Sequence, residues 1–120
     1  MTERVVVRLP WESPPLRSND RGHWAPRARV TREVRRVTAS LAACYKPIVG
    51  PVHVTLVWWV TDKRRRDSSA ADPTLKAAQD GLVDAGVIPD DHHRIVRRSW
   101  CEIREGDEKR VELIVEGVDE

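Results

Sequence analysis

Between Asp67 and Asp91 the chain gathers carboxylates around an amine: Asp67, Asp72, Lys76, Asp80, Asp90 and Asp91. If Asp72, Lys76 and Asp80 lie on one helix they are successive i, i+4 neighbours and share a face, while Leu75, Ala78 and Leu82 occupy another. Carboxylates drawn from a strand end, a helix start and a following loop can converge. A hard cation such as Mg²⁺ takes one or two carboxylates together with waters and substrate phosphates, and relieves the repulsion among the acids. That chemistry suits phosphodiester hydrolysis. The same residues also have plainer roles: Asp72 before Pro73 is a good helix N-cap, Lys76 and Asp80 form an ordinary helical ion pair, and Asp90 with Asp91 solvates a turn.

Cations surround this cluster. The net charge is only +2, but Arg17, Arg21, Arg27, Arg29, Arg32, Arg35 and Arg36, then Lys63 to Arg66, then Arg94, Arg97 and Arg98 precede an acidic tail from Glu102 to Glu120. Arginine presents a planar fork of donors that matches phosphate oxygens, so the asymmetry predicts a basic face for a phosphate-bearing partner; a solvated surface is the alternative. No GxGxxG, Walker-type lysine loop or GxSxG elbow occurs, so no nucleotide cofactor is expected and serine-hydrolase chemistry lacks support. Cys44 and Cys101 belong to no CxxC pair, and His92 and His93 are adjacent, a spacing that seldom serves one zinc ion. Both cysteines are expected to be buried, reduced thiols, and both histidines exposed loop residues.

These side chains need elements to hold them. With 120 residues, 40% hydrophobic and 33% charged, the chain is expected to form a single domain over residues 1–120. It has neither the ~20-residue apolar stretch of a membrane helix nor a signal-peptide pattern at its start, so a cytoplasmic protein with no membrane partner is expected. Arg4 to Leu9 reads as a strand closed by Pro10. Trp11 to Pro26 is a proline-rich loop, long enough to be functional or disordered. From Arg27 the positions Val30, Val34, Val37, Leu41 and Cys44 or Tyr45 recur at helical spacing, leaving Arg29, Arg32 and Arg36 on the exposed side. Val52 to Val60 is a strand with little polar face, central or covered on both sides. A second helix begins with Asp72 as cap and Pro73 at its first position, and ends at Gly86. Strands over about Arg94–Arg104 and Lys109–Gly117, joined by a turn containing Gly106, complete a β-α-β-α-β-β order: an α+β domain with a mixed sheet and two main helices.

The run RRRDSSAADPTLKAAQDGLVDAGVIPDD, Arg64 to Asp91, resembles the signature of RusA-type Holliday-junction resolvases, and SNDRGHWAPRARV, Ser18 to Val30, resembles their N-terminal loop and helix start. The resemblance implies a RusA-like fold and a Mg²⁺-dependent homodimeric endonuclease, acting in recombination and repair, that binds four-way DNA junctions and nicks two strands symmetrically. It also implies a site of three aspartates and a lysine, the first two acids in an Asp-x-Asp-Asn pattern shortly before the lysine. Asp67 matches the first acid, Lys76 the lysine and Asp91 the last acid. Counting from Asp67, Ser69 and Ala70 stand where the pattern has Asp and Asn; counting back from Lys76, Asp72 offers the second acid.

The resulting expectation is a junction-resolving nuclease in which Asp67, Asp72 and Asp91 hold Mg²⁺, Lys76 stabilises the transition state, and Arg21, Arg29, Arg32, Arg36, Arg64, Arg65 and Arg66 position the DNA backbone without reading bases. A two-fold dimer would match a two-fold junction. The rival from another class is a junction-binding module that no longer cleaves, because Ser69 and Ala70 replace functional groups. A small structural domain with no nucleic-acid partner is the third reading. Metal-dependent nicking of a synthetic junction separates the first two, and failure to bind DNA at moderate salt selects the third.

Overall fold

The computed structural model describes residues 3–18 and 24–119. Arg21 lies outside them. The elements run β1 (Arg4–Leu9), α1 (Trp24–Ala42), β2 (Val52–Val60), a 3₁₀ turn (Ser68–Ala71), α2 (Asp72–Asp84), β3 (Val96–Glu105) and β4 (Arg110–Gly117). The order expected from the sequence is the order found: an α+β domain with a mixed four-stranded sheet, β1-β4-β2-β3. β4 is antiparallel to both β1 and β2, whereas β3 lies parallel to β2. That parallel pair needs a crossover, and α2 supplies it.

Alternation along β2 explains its central place. Val52, Val54, Leu56, Trp58 and Val60 join the main core with Val111, Leu113 and Val115 of β4 and Val5, Val7 and Leu9 of β1. On the other face Thr55 and Val57 are also buried; their cross-strand neighbours are Ile114 and Trp100 for Thr55, Glu112 and Glu102 for Val57. Each fully buried Leu or Val contributes about 1.5–3 kcal/mol.

Three local expectations change. The core stripe of α1 is Val34, Thr38 and Ala42, each fully buried, whereas Leu41 is 41% exposed. Cys44 and Tyr45 lie past the helix end and are exposed, so Cys44 is not a buried thiol. The stripe drifted because the close neighbour of α1 is α2, which favours small residues: an ideal Cβ at Gly81 would sit 2.6 Å from the Arg35 carbonyl oxygen and 2.8 Å from Thr38 Cβ. Finally, Ala71 is the N-cap of α2, which puts Asp72 inside the first turn. An acid there still complements the helix dipole. Gly86, with φ of +79° just beyond the C-cap Ala85, ends α2 as expected.

Residues 11–18 of the proline-rich loop are tied down. Thr74 of α2, fully buried, accepts from Leu16 N–H at 3.0 Å and donates to Leu16 C=O at 2.7 Å. Ser18 N–H donates to Ala70 C=O at 2.8 Å, and Leu16 itself enters the core. The loop is thereby fixed across the 3₁₀ turn and the start of α2.

Candidate phosphate-binding site

β2 ends at Val60 and releases the chain into Thr61–Arg66, a segment turned back on itself by Asp62. The Asp62 carboxylate accepts from Arg64 N–H at 3.0 Å and from Arg66 at 2.8 Å. These bonds, Arg66 foremost, hold its carboxyl well below the usual carboxylate range. The segment borders an open cleft of about 430 Å³, also lined by Arg17, Trp58, Asp67 and Lys109. Arg64 and Arg65 are exposed, while Arg66 lies with its guanidinium 5.5 Å from the centre of the Trp58 ring. On α1, Arg29, Arg32 and Arg36 are all exposed as expected, with Arg36 engaged by Glu33 at 2.8 Å.

The residues expected to hold Mg²⁺ each have a protein partner. Asp67 caps the 3₁₀ turn: its Oδ1 accepts from Ser69 N–H at 3.2 Å and from Ser69 Oγ at 2.9 Å. The Asp72 carboxylate accepts from the Cys101 thiol at 3.6 Å. Burial, and next the negative charge of Asp72, push that thiol up to about 12. Asp91 pairs with Lys76 at 2.6 Å, and Lys76 also reaches Asp80 at 3.0 Å. The lysine holds the Asp91 carboxyl below its ordinary value, and the two aspartates, Asp91 first, raise the lysine.

Lys76 and Asp91 thus come together from opposite ends of the motif, and the Lys76–Asp80 helical pair is present as well. Asp67, Asp72 and Asp91 do not form one donor set: among the described residues no three His, Cys, Asp or Glu side chains gather as a group able to hold a metal ion. Asp90 accepts from the Asp91 N–H at 2.7 Å, in keeping with a turn role. His92 and His93 are exposed, and His92 Nδ1 accepts from Arg94 N–H at 3.2 Å.

Trp58 and Lys109 in the cleft, and Thr74, which holds Leu16 beside Arg17, were not singled out by sequence reasoning, and Arg17 was named only as one of many basic positions. Thr74 carries a signal, a hydroxyl between the apolar positions Ala71 and Ala78 of the buried helix face. Arg17 has a fainter one, following a leucine in a loop otherwise rich in proline and polar residues. Lys109 has none, since only the β3–β4 connection, which crosses the end of β2, brings it there. A comparison with protein-family models finds no match, and a comparison with curated proteins finds none either.

Proposed function

We propose that the protein is a RusA-like DNA-binding protein that recognises four-way junctions through their phosphates and has weak or no cleavage activity. The observation that carries this reading is the basic segment Arg64–Arg66, which lines an open cleft at the carboxyl end of a parallel strand and runs directly into Asp67. Ligands of open α/β sheets bind outside the carboxyl ends of strands. Exposed guanidinium forks grip phosphate oxygens without reading base edges, which suits recognition of a DNA shape. The same DNA-binding role extends to the exposed Arg29, Arg32 and Arg36 of α1, and a two-fold dimer would present two such surfaces to the arms of a junction.

Ser69 favours binding over cleavage. It stands where the resemblance has an acid, and it occupies Asp67 with two hydrogen bonds. One observation favours the Mg²⁺-dependent endonuclease instead, the 2.6 Å contact that joins Lys76 to Asp91. Incubating the protein with a labelled synthetic four-way junction, with and without Mg²⁺, and running native and denaturing gels side by side tests both readings. A retarded junction with intact strands supports the binder. Paired, symmetric, Mg²⁺-dependent nicks support the nuclease, and an unretarded, uncut junction defeats both.

A further inference from the structure

The geometry points to a built seat for a single phosphate ester, in which Trp58 holds the guanidinium groups of Arg17 and Arg66 at the wall of the cleft. The inference rests on the DNA-binding reading and names the groups that would grip one phosphate within it.

Trp58 belongs to the core strand β2 and is only 6% exposed. Its ring is therefore a fixed platform. The Arg17 guanidinium lies 5.0 Å and that of Arg66 5.5 Å from its centre. A guanidinium stacked on an indole is held by cation–π attraction and points its in-plane N–H groups past the ring edge. Both arginines come from segments that are themselves anchored. Arg17 follows Leu16, which is clamped by Thr74, and precedes Ser18, which is bonded to Ala70. Arg66 gives one terminal nitrogen to Asp62 and to the Arg64 carbonyl. A guanidinium has five N–H donors, so the two bonds from one terminal nitrogen of Arg66 leave its other donors for a ligand. Little rotamer freedom remains to be lost on binding, which is the usual cost of an arginine contact.

The charge balance of the cleft supports an anion. Five Arg and Lys side chains line the cleft against three acids, Glu12, Asp62 and Asp67, of which Asp62 is engaged by Arg64 and Arg66 and Asp67 by Ser69. Paired arginine forks favour the tetrahedral oxygens of phosphate. The volume of about 430 Å³ exceeds what a phosphate group alone needs and lies within the ~300–1,000 Å³ range of small-molecule sites, leaving space for an attached sugar and base. With both guanidinium groups held over Trp58, the cleft grips the phosphate from one wall.

The phosphate ester has two sources, an internal diester of a strand or a terminal monoester. The experiment follows the Trp58 indole N–H by heteronuclear NMR, assigned by its loss in Trp58→Phe, during titration of the full chain. The probes are the dinucleotide TpT, thymidine 5′-monophosphate, unphosphorylated thymidine and hexaglutamate. We expect a saturable shift with at least one ester and none with thymidine or hexaglutamate; the tighter ester identifies the source. Arg17→Gln with Arg65→Gln, at positions outside the apolar core so that the spectrum stays otherwise dispersed, weakens ester binding about tenfold or more. No saturable shift with either ester, an equal shift with hexaglutamate, or unchanged affinity in the double variant overturns the proposal. Junction binding is measured on the same samples. Junction retardation without an ester response defeats the seat and leaves the DNA reading standing, whereas an ester response without junction binding does the reverse.

Discussion

Thr74 shows how one side chain can govern a loop distant in sequence. Its hydroxyl serves both backbone groups of Leu16 from a fully buried position, so Thr74→Val keeps the shape and leaves a buried donor and acceptor unpaired. The expected loss is about 1–3 kcal/mol, measured by urea unfolding, with faster hydrogen exchange at Leu16 and Ser18. A stability unchanged by the substitution would mean that the loop is held by other contacts. Cysteine chemistry offers a second test. Cys44 is exposed, while Cys101 is buried with its thiol raised to about 12, and only thiolates react readily. At pH 8 iodoacetamide should modify Cys44 in the native protein and reach Cys101 only after denaturant is added. The cluster Asp67 to Asp91 was legible in the sequence as a set of residues, and the Lys76–Asp80 pair follows its i, i+4 spacing, whereas the contact of Lys76 with Asp91 needs the chain after α2 to return to the helix. What spacing could not supply was the competing partner of each acid. Ser69 for Asp67 depends on a 3₁₀ turn, and Cys101 for Asp72 depends on the register of β3.

At the scale of elements, the two helices are joined by a close approach and an ion pair. Arg35 and Asp84 meet through two hydrogen bonds, at 2.6 and 2.8 Å. Next to them Gly81 faces the α1 backbone, and the nearest atom to a Cβ there is the Arg35 carbonyl oxygen, which cannot step aside like a flexible side chain. Gly81→Ala should therefore destabilise by about 1–3 kcal/mol despite the better helix propensity of alanine; a more stable variant would show that the helices separate freely. Arg35 holds the Asp84 carboxyl below its ordinary value. A carboxyl depressed in the folded state contributes stability above its unfolded pKa of ~3.9, and that contribution is lost as the pH falls through the folded value. Asp84→Asn should lower the melting temperature at pH 7, and the difference from the parent should shrink as the pH is lowered from about 5 towards 2. A difference independent of pH would assign the effect to packing. Strand and helix order was legible because each element carries its own period and its own stop, Pro10 after β1 and Gly86 after α2. The exposed Leu41 was not, since a stripe of similar apolar residues does not say that the adjacent helix will choose Thr38 and Ala42 for closeness.

The whole molecule combines a sheet-and-helix scaffold with a basic cleft at the carboxyl end of β2. Among the described residues no helix is long and apolar enough to cross a membrane. The cleft draws on the loop after β1, the segment after β2 and the β3–β4 connection across the end of β2, so it exists only in the assembled fold. This is why it escaped a reading of linear segments, although the Arg64–Arg66 run on its rim did not. The central claim is that these cations bind the phosphates of branched DNA. The most direct measurement is fluorescence anisotropy of a labelled four-way junction and of a linear duplex of equal length, titrated with the protein over a salt series. The predicted result is tighter binding of the junction, with log affinity falling linearly against log salt at about −0.9 per phosphate neutralised on its duplex arms. A shallower slope and weaker binding should follow when Arg64, Arg65 and Arg66 are replaced together by Gln. Equal affinity for both DNAs, or a junction affinity that does not change with salt, would contradict the claim.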